Sequence, residues 1–309
     1  MNDTASVSRL RRSLLYVPGD REAMIAKAAQ RGADGLILNL EDAVAPGNKD
    51  LARNVVAQAL AALDFGRAEI IVRINPLDTE IGYRDLLTIA PAKPDAILLP
   101  KVGTPEEVRF AAWTIARLEE MHGLPAGGIR LMCMIESASG VLAAAQIAGC
   151  HPRVAALLFG AADYSAEVGC AITPDGDPPL GGLPSGGPLL YAQSQIVLAS
   201  RAAGIDAIDT PYMRLDDPDG LARSSQRAHQ LGFDGKSAIH PGQIGPINSI
   251  FSPTPEQIAW AERVLAALAG GDEAQLGAAV LDGQLIEAPH LVRAHRTLRV
   301  ALQVEIATR

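Results

Sequence analysis

The sequence predicts a (β/α)8 barrel, a TIM barrel of the α/β class, followed by a short C-terminal hairpin-helix extension. Three observations predict it. Eight short, nearly continuous apolar runs recur along residues 12–240, the pattern of parallel strands covered on both faces. Ala-rich, helix-like stretches separate them. Nearly every run ends on a group that ionises or hydrogen-bonds, and in a barrel those ends converge on one mouth.

The runs are "RSLLYVP" (12–18), "GLILNLED" (35–42), "EIIVRIN" (69–75), "DAILLPK" (95–101), "IRLMCMIES" (129–137), "VAALLFGAAD" (154–163), "GIDAIDTP" (204–211) and "GKSAIH" (235–240). Between them, residues 49–63 read as a helix. Residues 104–121 open with Thr104 at an N-cap and Pro105 in the first turn. Residues 138–149 and 189–204 each end on a capping Gly. A doubly wound open sheet would need a Gly-rich dinucleotide turn after the first strand, and "YVPGDRE" does not supply one. Residues 1–269 are therefore expected to form the catalytic barrel. Residues 270–309 are expected to pack on the barrel or on a neighbouring subunit. There "GAAVLDGQLIE" reads as a hairpin with an Asp-Gly turn, and "PHLVRAHRTLRVALQV" as a final helix. The Pro- and Gly-rich stretch 171–190 follows the sixth strand and reads as a lid or binding loop.

Composition narrows the function. The 309 residues are 48% hydrophobic and 20% charged, and the net charge of −8 carries no long basic run. Nucleic acid and anionic membrane surfaces are not expected partners. "MNDTASVSRLRR" lacks the apolar core of a signal peptide, and no run approaches the ~18 apolar residues of a membrane span. The three cysteines, Cys133, Cys150 and Cys170, match no zinc or redox spacing, which suits a cytoplasmic setting.

The strand ends carry the chemistry. Glu136 and Asp163 end neighbouring strands, about 4.8 Å apart, so both carboxylates reach one point. Two carboxylates that close repel unless a proton or cation lies between them. Mg²⁺ typically takes one or two carboxylates and completes its shell with water and substrate. Glu41 and Asp42, after the second strand, could hold two of those waters. Any one of these acids alone is as readily a salt bridge or a helix cap. Arg73 points either into the helix layer or into the mouth, where it suits a bidentate grip on a carboxylate. Lys101 either serves the site or simply neutralises the acids. His240 also reads as a core histidine fixed by backbone groups. No Gly-x-Ser-x-Gly elbow or Cys–His pair supports an acyl-enzyme hydrolase.

In order, "RRSLLYVPGD", "LNLEDAVAPGNKDLAR", "VRIN", "LLPKV", "MIES", "FGAADY", "AIDTPY" and "LGFDGKSAIHPGQI" resemble the citrate lyase β-subunit-like and malyl-CoA lyase family of the Mg-dependent aldolase/citrate lyase superfamily. The resemblance runs from about residue 11 to 269, and more weakly through the tail. It implies Mg²⁺-dependent cleavage or formation of a carbon–carbon bond in a short 3-hydroxyacyl-CoA, with a CoA thioester and a 2-oxo acid as small-molecule partners. By similarity, Glu136 and Asp163 are the metal ligands and Arg73 holds the 2-oxo acid. Glu41, Asp42 and Lys101 stand behind them. Arg12 and Lys27 would face the CoA phosphates. A homotrimer or hexamer is implied, in which a tail carboxylate completes the neighbour's site.

Two departures mark this chain. The tail acid is usually Asp, and here "LIEAP" puts Glu287 in its place as the expected acid/base. The usual Asp-Leu-Glu-Asp is "NLED", with Asn39. Citramalyl-CoA or malyl-CoA cleavage is the leading expectation. The alternatives are a thioesterase, a citrate lyase β-type subunit, a CoA-independent hydroxy-oxo-acid aldolase, and a catalytically weak ligand-binding paralogue. The tail is read as arguing against the citrate lyase subunit.

Overall fold

Most of the expected strands form because their runs are apolar and rich in Leu, Ile and Val, with no polar face to show to water; "DAID" and "GKSA" are the shorter, more polar exceptions. The computed structural model describes residues 9–170, 187–269 and 278–308. Its strands are β1 Ser13–Pro18, β2 Gly35–Asn39, β3 Glu69–Arg73, β4 Ala96–Leu99, β5 Arg130–Ile135, β6 Val154–Phe159, β7 Asp206–Asp209 and β8 Gly235–Ala238. They pair in parallel in chain order and close through β1 and β8. The predicted barrel is the observed one.

The helices are α1 Glu22–Ala28, α2 Lys49–Ala62, α3 Glu80–Ile89, α4 Pro105–Met121, α5 Ala138–Gly149, α6 Ala161–Val168, α7 Leu190–Ala203, α8 Pro218–Leu231 and α9 Ile244–Ile250. Local sequence starts several of them. The Ser137 and Asp217 side chains accept from Gly140 N and Gly220 N at the starts of α5 and α8. Residues 171–186 of the expected lid lie outside the described residues. No helix of the described residues is long and apolar enough to cross a membrane.

Side-chain alternation decides what faces the barrel axis. Leu14, Ile37, Ile71, Leu98, Met134 and Leu158 meet in one buried interior cluster. Two positions beyond Ile37, Ile71 and Met134 lie Asn39, Arg73 and Glu136, which therefore sit above that cluster. The opposite end is closed by charge. Arg11 donates from Nε and Nη2 to Glu69 and from Nη1 to Asp206, at 2.6–2.8 Å. Glu69 and Asp206 are the first residues of β3 and β7, so this guanidinium spans the N-terminal floor.

One buried ion pair ties the strands that carry the acids. Glu119, on α4 and 1% exposed, accepts from Gly127 N, Ile129 N and both Nη atoms of Arg153. These donors precede β5 and β6. Burial alone would push the Glu119 carboxyl up, but the bonds from Arg153 and the two amides outweigh it and hold it below the usual range. Its stabilisation is therefore complete above its unfolded pKa, near ~4.3, and is lost as pH falls through the lower folded value. Glu119→Gln is expected to cost about 3–5 kcal/mol at pH 7, because it leaves Arg153 buried and unpaired. Urea melts should show that deficit, and the gap between the two proteins should narrow below about pH 4.

A second compact unit spans Ser249–Arg309 and is separate from Arg11–Asn248. It contains α10 Pro255–Ala269, β9 Ala278–Leu281, β10 Gln284–Glu287 and α11 Ala288–Thr308. The two strands pair antiparallel around Asp282 and Gly283, with φ of 52° and 77°. Two successive positive φ values are what an Asp-Gly hairpin turn requires. Ala261, Val264, Ile286 and Ala294 form its core.

Candidate active site

The strand ends and the loops just beyond them bring five charged groups together. Arg73 closes β3, and its Nε donates to Asn39 Oδ1 at 2.8 Å on the neighbouring strand. Its Nη1 lies 2.9 Å from Glu41 Oε2. The guanidinium also stands over the Tyr16 ring, 5.1 Å from the centroid, a cation–π contact that limits its movement. Arg73 thus faces the mouth, held on three sides. Glu41 is buried. Burial, opposed by Arg73, leaves its carboxyl above the usual range. The backbone that carries Glu41 is pinned by Lys49 Nζ, which donates to Leu40 O and Glu41 O at 2.9 Å each.

Glu136 follows β5 and is 3% exposed. Its Oε1 accepts from Lys101 N at 2.7 Å. Lys101 makes this approach from a left-handed backbone, φ 51°. Burial pushes the Glu136 carboxyl up to about 7, the Lys101 amide pulls it down, and Asp163 and Glu41 push it up again. The Lys101 ammonium lies 3.7 Å from Glu41 Oε1 and 3.8 Å from Asp163 Oδ1. The mouth thus concentrates carboxylates around one exposed ammonium, and it carries one buried acid that cannot ionise cheaply on its own.

Glycine makes room for that acid. A Cβ on Gly160 would lie 2.4 Å from Glu136 Oε2 and 2.5 Å from its Cβ. Gly160→Ala therefore has to move the carboxylate, and displacements near 1 Å cost about 10²-fold in rate. That loss, with normal far-UV circular dichroism, is the expected outcome in a steady-state assay.

These residues fit a hard divalent cation. Glu136 and Asp163 would supply oxygen ligands, and a cation held there would offset the cost of ionising Glu136 among like charges. Among the described residues no three His, Cys, Asp or Glu side chains are arranged to hold a metal. Water and substrate would complete the shell.

Several expected positions change. Asp163 does not end the sixth strand: β6 stops at Phe159, and Asp163 stands in the first turn of α6, its side chain 43% exposed. Arg12 does not reach the mouth. It precedes β1, where its Nε and Nη2 donate to Asp34 at 2.9 Å, so it belongs to the barrel floor. Lys27 lies exposed in the last turn of α1, which runs back from the mouth, and is not brought to the acids. Asp209 turns to the helix layer, where it pairs with the fully buried Lys236 at 2.6 Å and accepts from Gln193 of α7. His240 is no core residue. It is exposed, and its Nδ1 accepts from Gly242 N. Asp42 is exposed beside Glu41 and donates its N–H to Glu41 Oε2. Glu287 lies exposed at the end of β10, in the second unit. Sequence reasoning missed Tyr16 and Gly160. Alternation could have found Tyr16, since it shares a face with Leu14 on β1.

The fold and mouth define a class: a (β/α)8 protein whose mouth brings an arginine and a lysine together with several carboxylates. Residues 12–241 match the HpcH/HpaI aldolase/citrate lyase family, and the chain belongs to it. The chain is 39% identical over 293 residues to the citrate lyase subunit beta of Leuconostoc mesenteroides subsp. cremoris, covering 95% of this chain and 94% of that protein. It is 37% identical over 290 residues to the (3S)-malyl-CoA thioesterase of Cereibacter sphaeroides, covering 94% of each. It superposes on CitE of Mycobacterium tuberculosis, solved with magnesium, acetoacetate and coenzyme A, with a TM-score of 0.74 and 32% identity over 94% of this chain and 97% of that one. The tail therefore does not separate this chain from a citrate lyase β subunit. A match over 95% of the chain must run into residues beyond 269.

Proposed function

We propose that the protein is a Mg²⁺-dependent carbon–carbon lyase acting on a short 3-hydroxyacyl-CoA that carries a carboxylate, such as citramalyl-CoA or malyl-CoA. The observation that carries the reading is Glu136, a buried carboxylate pushed up to about 7 in a mouth it shares with Asp163, Glu41 and Arg73. Glu136 and Asp163 would hold the ion, which when bound acts as a Lewis acid on substrate oxygens. The Mycobacterium neighbour was crystallised with magnesium and coenzyme A, which supports both ligands here.

The chain's own groups divide the work. Arg73 grips the carboxylate of the 2-oxo acid and stabilises negative charge that develops there. Glu41, Asn39 and Tyr16 hold Arg73 in place. Lys101 fixes Glu136 through its N–H and lowers the repulsion among the acids. In cleavage the Glu287 carboxylate takes the 3-hydroxyl proton, the oxygen's electron pair forms the new carbonyl, the carbon–carbon bond breaks, and its electron pair passes to the thioester enolate. The now protonated Glu287 then returns that proton to the enolate carbon. We assign both transfers to Glu287, supplied by a neighbouring subunit of a homotrimer or hexamer. An exposed carboxyl becomes a competent acid only when such packing buries it.

The thioesterase relative favours a second reading, hydrolysis of the thioester at the same mouth. Incubation with Mg²⁺ and a panel of malyl-, methylmalyl- and citramalyl-CoA separates the two. The lyase releases acetyl-CoA or propionyl-CoA with glyoxylate or pyruvate, and stops when the metal is chelated. Free CoA without a 2-oxo acid would indicate the hydrolase. No metal-dependent turnover of any ester would overturn both.

A further inference from the structure

Tyr16 stands two residues after Leu14 on β1 and beside Ile37 of β2, so its side chain enters the barrel interior. There its ring packs on the buried interior cluster and lies under the Arg73 guanidinium, 5.1 Å from Cζ to the centroid. Its hydroxyl crosses to β5 and points at Met134 Sδ, 3.9 Å away. Arg73 Nη1 reaches the same sulfur at 3.7 Å. A phenol O–H and a guanidinium N–H thus converge on one point at the floor of the mouth, beneath Glu136. Tyr16 is only half-buried. Arg11 closes the opposite end of the barrel, so the exposed part of Tyr16 faces the mouth. A thioether is a weak acceptor, and among the described residues it is the hydroxyl's only hydrogen-bond partner. Burial raises the phenol to about 12, so it stays a neutral donor. Such a donor gains by exchanging a distant sulfur for a charged oxygen.

We propose that Tyr16 binds substrate directly: its hydroxyl leaves Met134 Sδ and donates to a carboxylate oxygen of the 2-oxo acid gripped by Arg73. The inference rests on the reading of the mouth as a 2-oxo acid site. Tyr16 then has two jobs. Its ring carries the guanidinium, and its hydroxyl adds a second donor to the same carboxylate. That donor is neutral, so it strengthens the grip without a further charge among Glu41, Glu136 and Lys101. The ring alone would keep the first job and lose the second.

Tyr16→Phe tests this by calorimetric titration of pyruvate and glyoxylate into protein saturated with Mg²⁺. The variant keeps the ring on the core cluster and under Arg73, and gives up only the distant sulfur. Its melting temperature should therefore not fall. It should bind both 2-oxo acids about 10-fold more weakly. Mg²⁺ affinity measured alone should stay unchanged, because the hydroxyl meets the acid and not the ion. Wild-type affinity for both 2-oxo acids in Tyr16→Phe overturns the assignment. A loss accompanied by an equal fall in Mg²⁺ affinity and a lower melting temperature also overturns it, since the hydroxyl would then be a structural group. If the wild-type protein binds neither 2-oxo acid, the reading of the mouth fails and this proposal falls with it.

Discussion

Glu136→Gln is expected to lower Mg²⁺-dependent turnover by about 10³-fold while leaving the fold intact. The amide keeps the shape of the carboxyl, and its oxygen can still accept the Lys101 N–H that Glu136 Oε1 accepts at 2.7 Å. What it loses is the charge that would meet the metal. Stability should move the other way. The folded protein pushes this carboxyl up to about 7, mainly through burial. Ionising it therefore costs stability, and that cost grows as pH rises above the unfolded value. Without metal, at pH 8, the Gln variant should melt at or above the wild-type temperature. Thermal melts and steady-state rates on the same preparation check both halves. Activity within threefold of wild type would remove Glu136 from the site.

Arg73→Lys should lower kcat/KM by about 10³-fold. Lysine keeps the charge but cannot reproduce the planar fork. It loses the Nε bond to Asn39 and the stacking on Tyr16, so the charge is no longer aimed. Lysine can still approach Glu41, which avoids an unpaired buried carboxylate and keeps the protein folded. The loss should appear in both kcat and KM, because the grip is used in the ground state and again as charge develops. A loss below tenfold would mean that Arg73 is only a structural partner of Glu41.

The barrel was legible in the sequence because parallel strands buried on both faces need apolar side chains throughout, and "GLILN", "EIIVR" and "RLMCMI" provide them. The Asp-Gly turn in the tail was legible for a similarly local reason: two positive φ values in succession select those residues. The site was only partly legible. Glu136 stands out because a charge closing an apolar run demands an explanation. Asp163 could be named but not placed, since "FGAAD" does not reveal that the chain turns helical after Phe159. Arg12 was misjudged for a geometric reason. A charge next to a strand can lie at either end of the barrel, and a partner distant in sequence, Asp34, decided this one. Gly160 was silent because its contribution is the absence of a side chain beside Glu136.

Direct titration of Mg²⁺ into the metal-free protein, followed by calorimetry, tests the central claim that Glu136 and Asp163 hold the ion. Wild type should bind one Mg²⁺ per chain. Glu136→Gln and Asp163→Asn should each lose most of that affinity while remaining folded. Unchanged Mg²⁺ affinity in both variants would place the metal elsewhere and contradict the assignment.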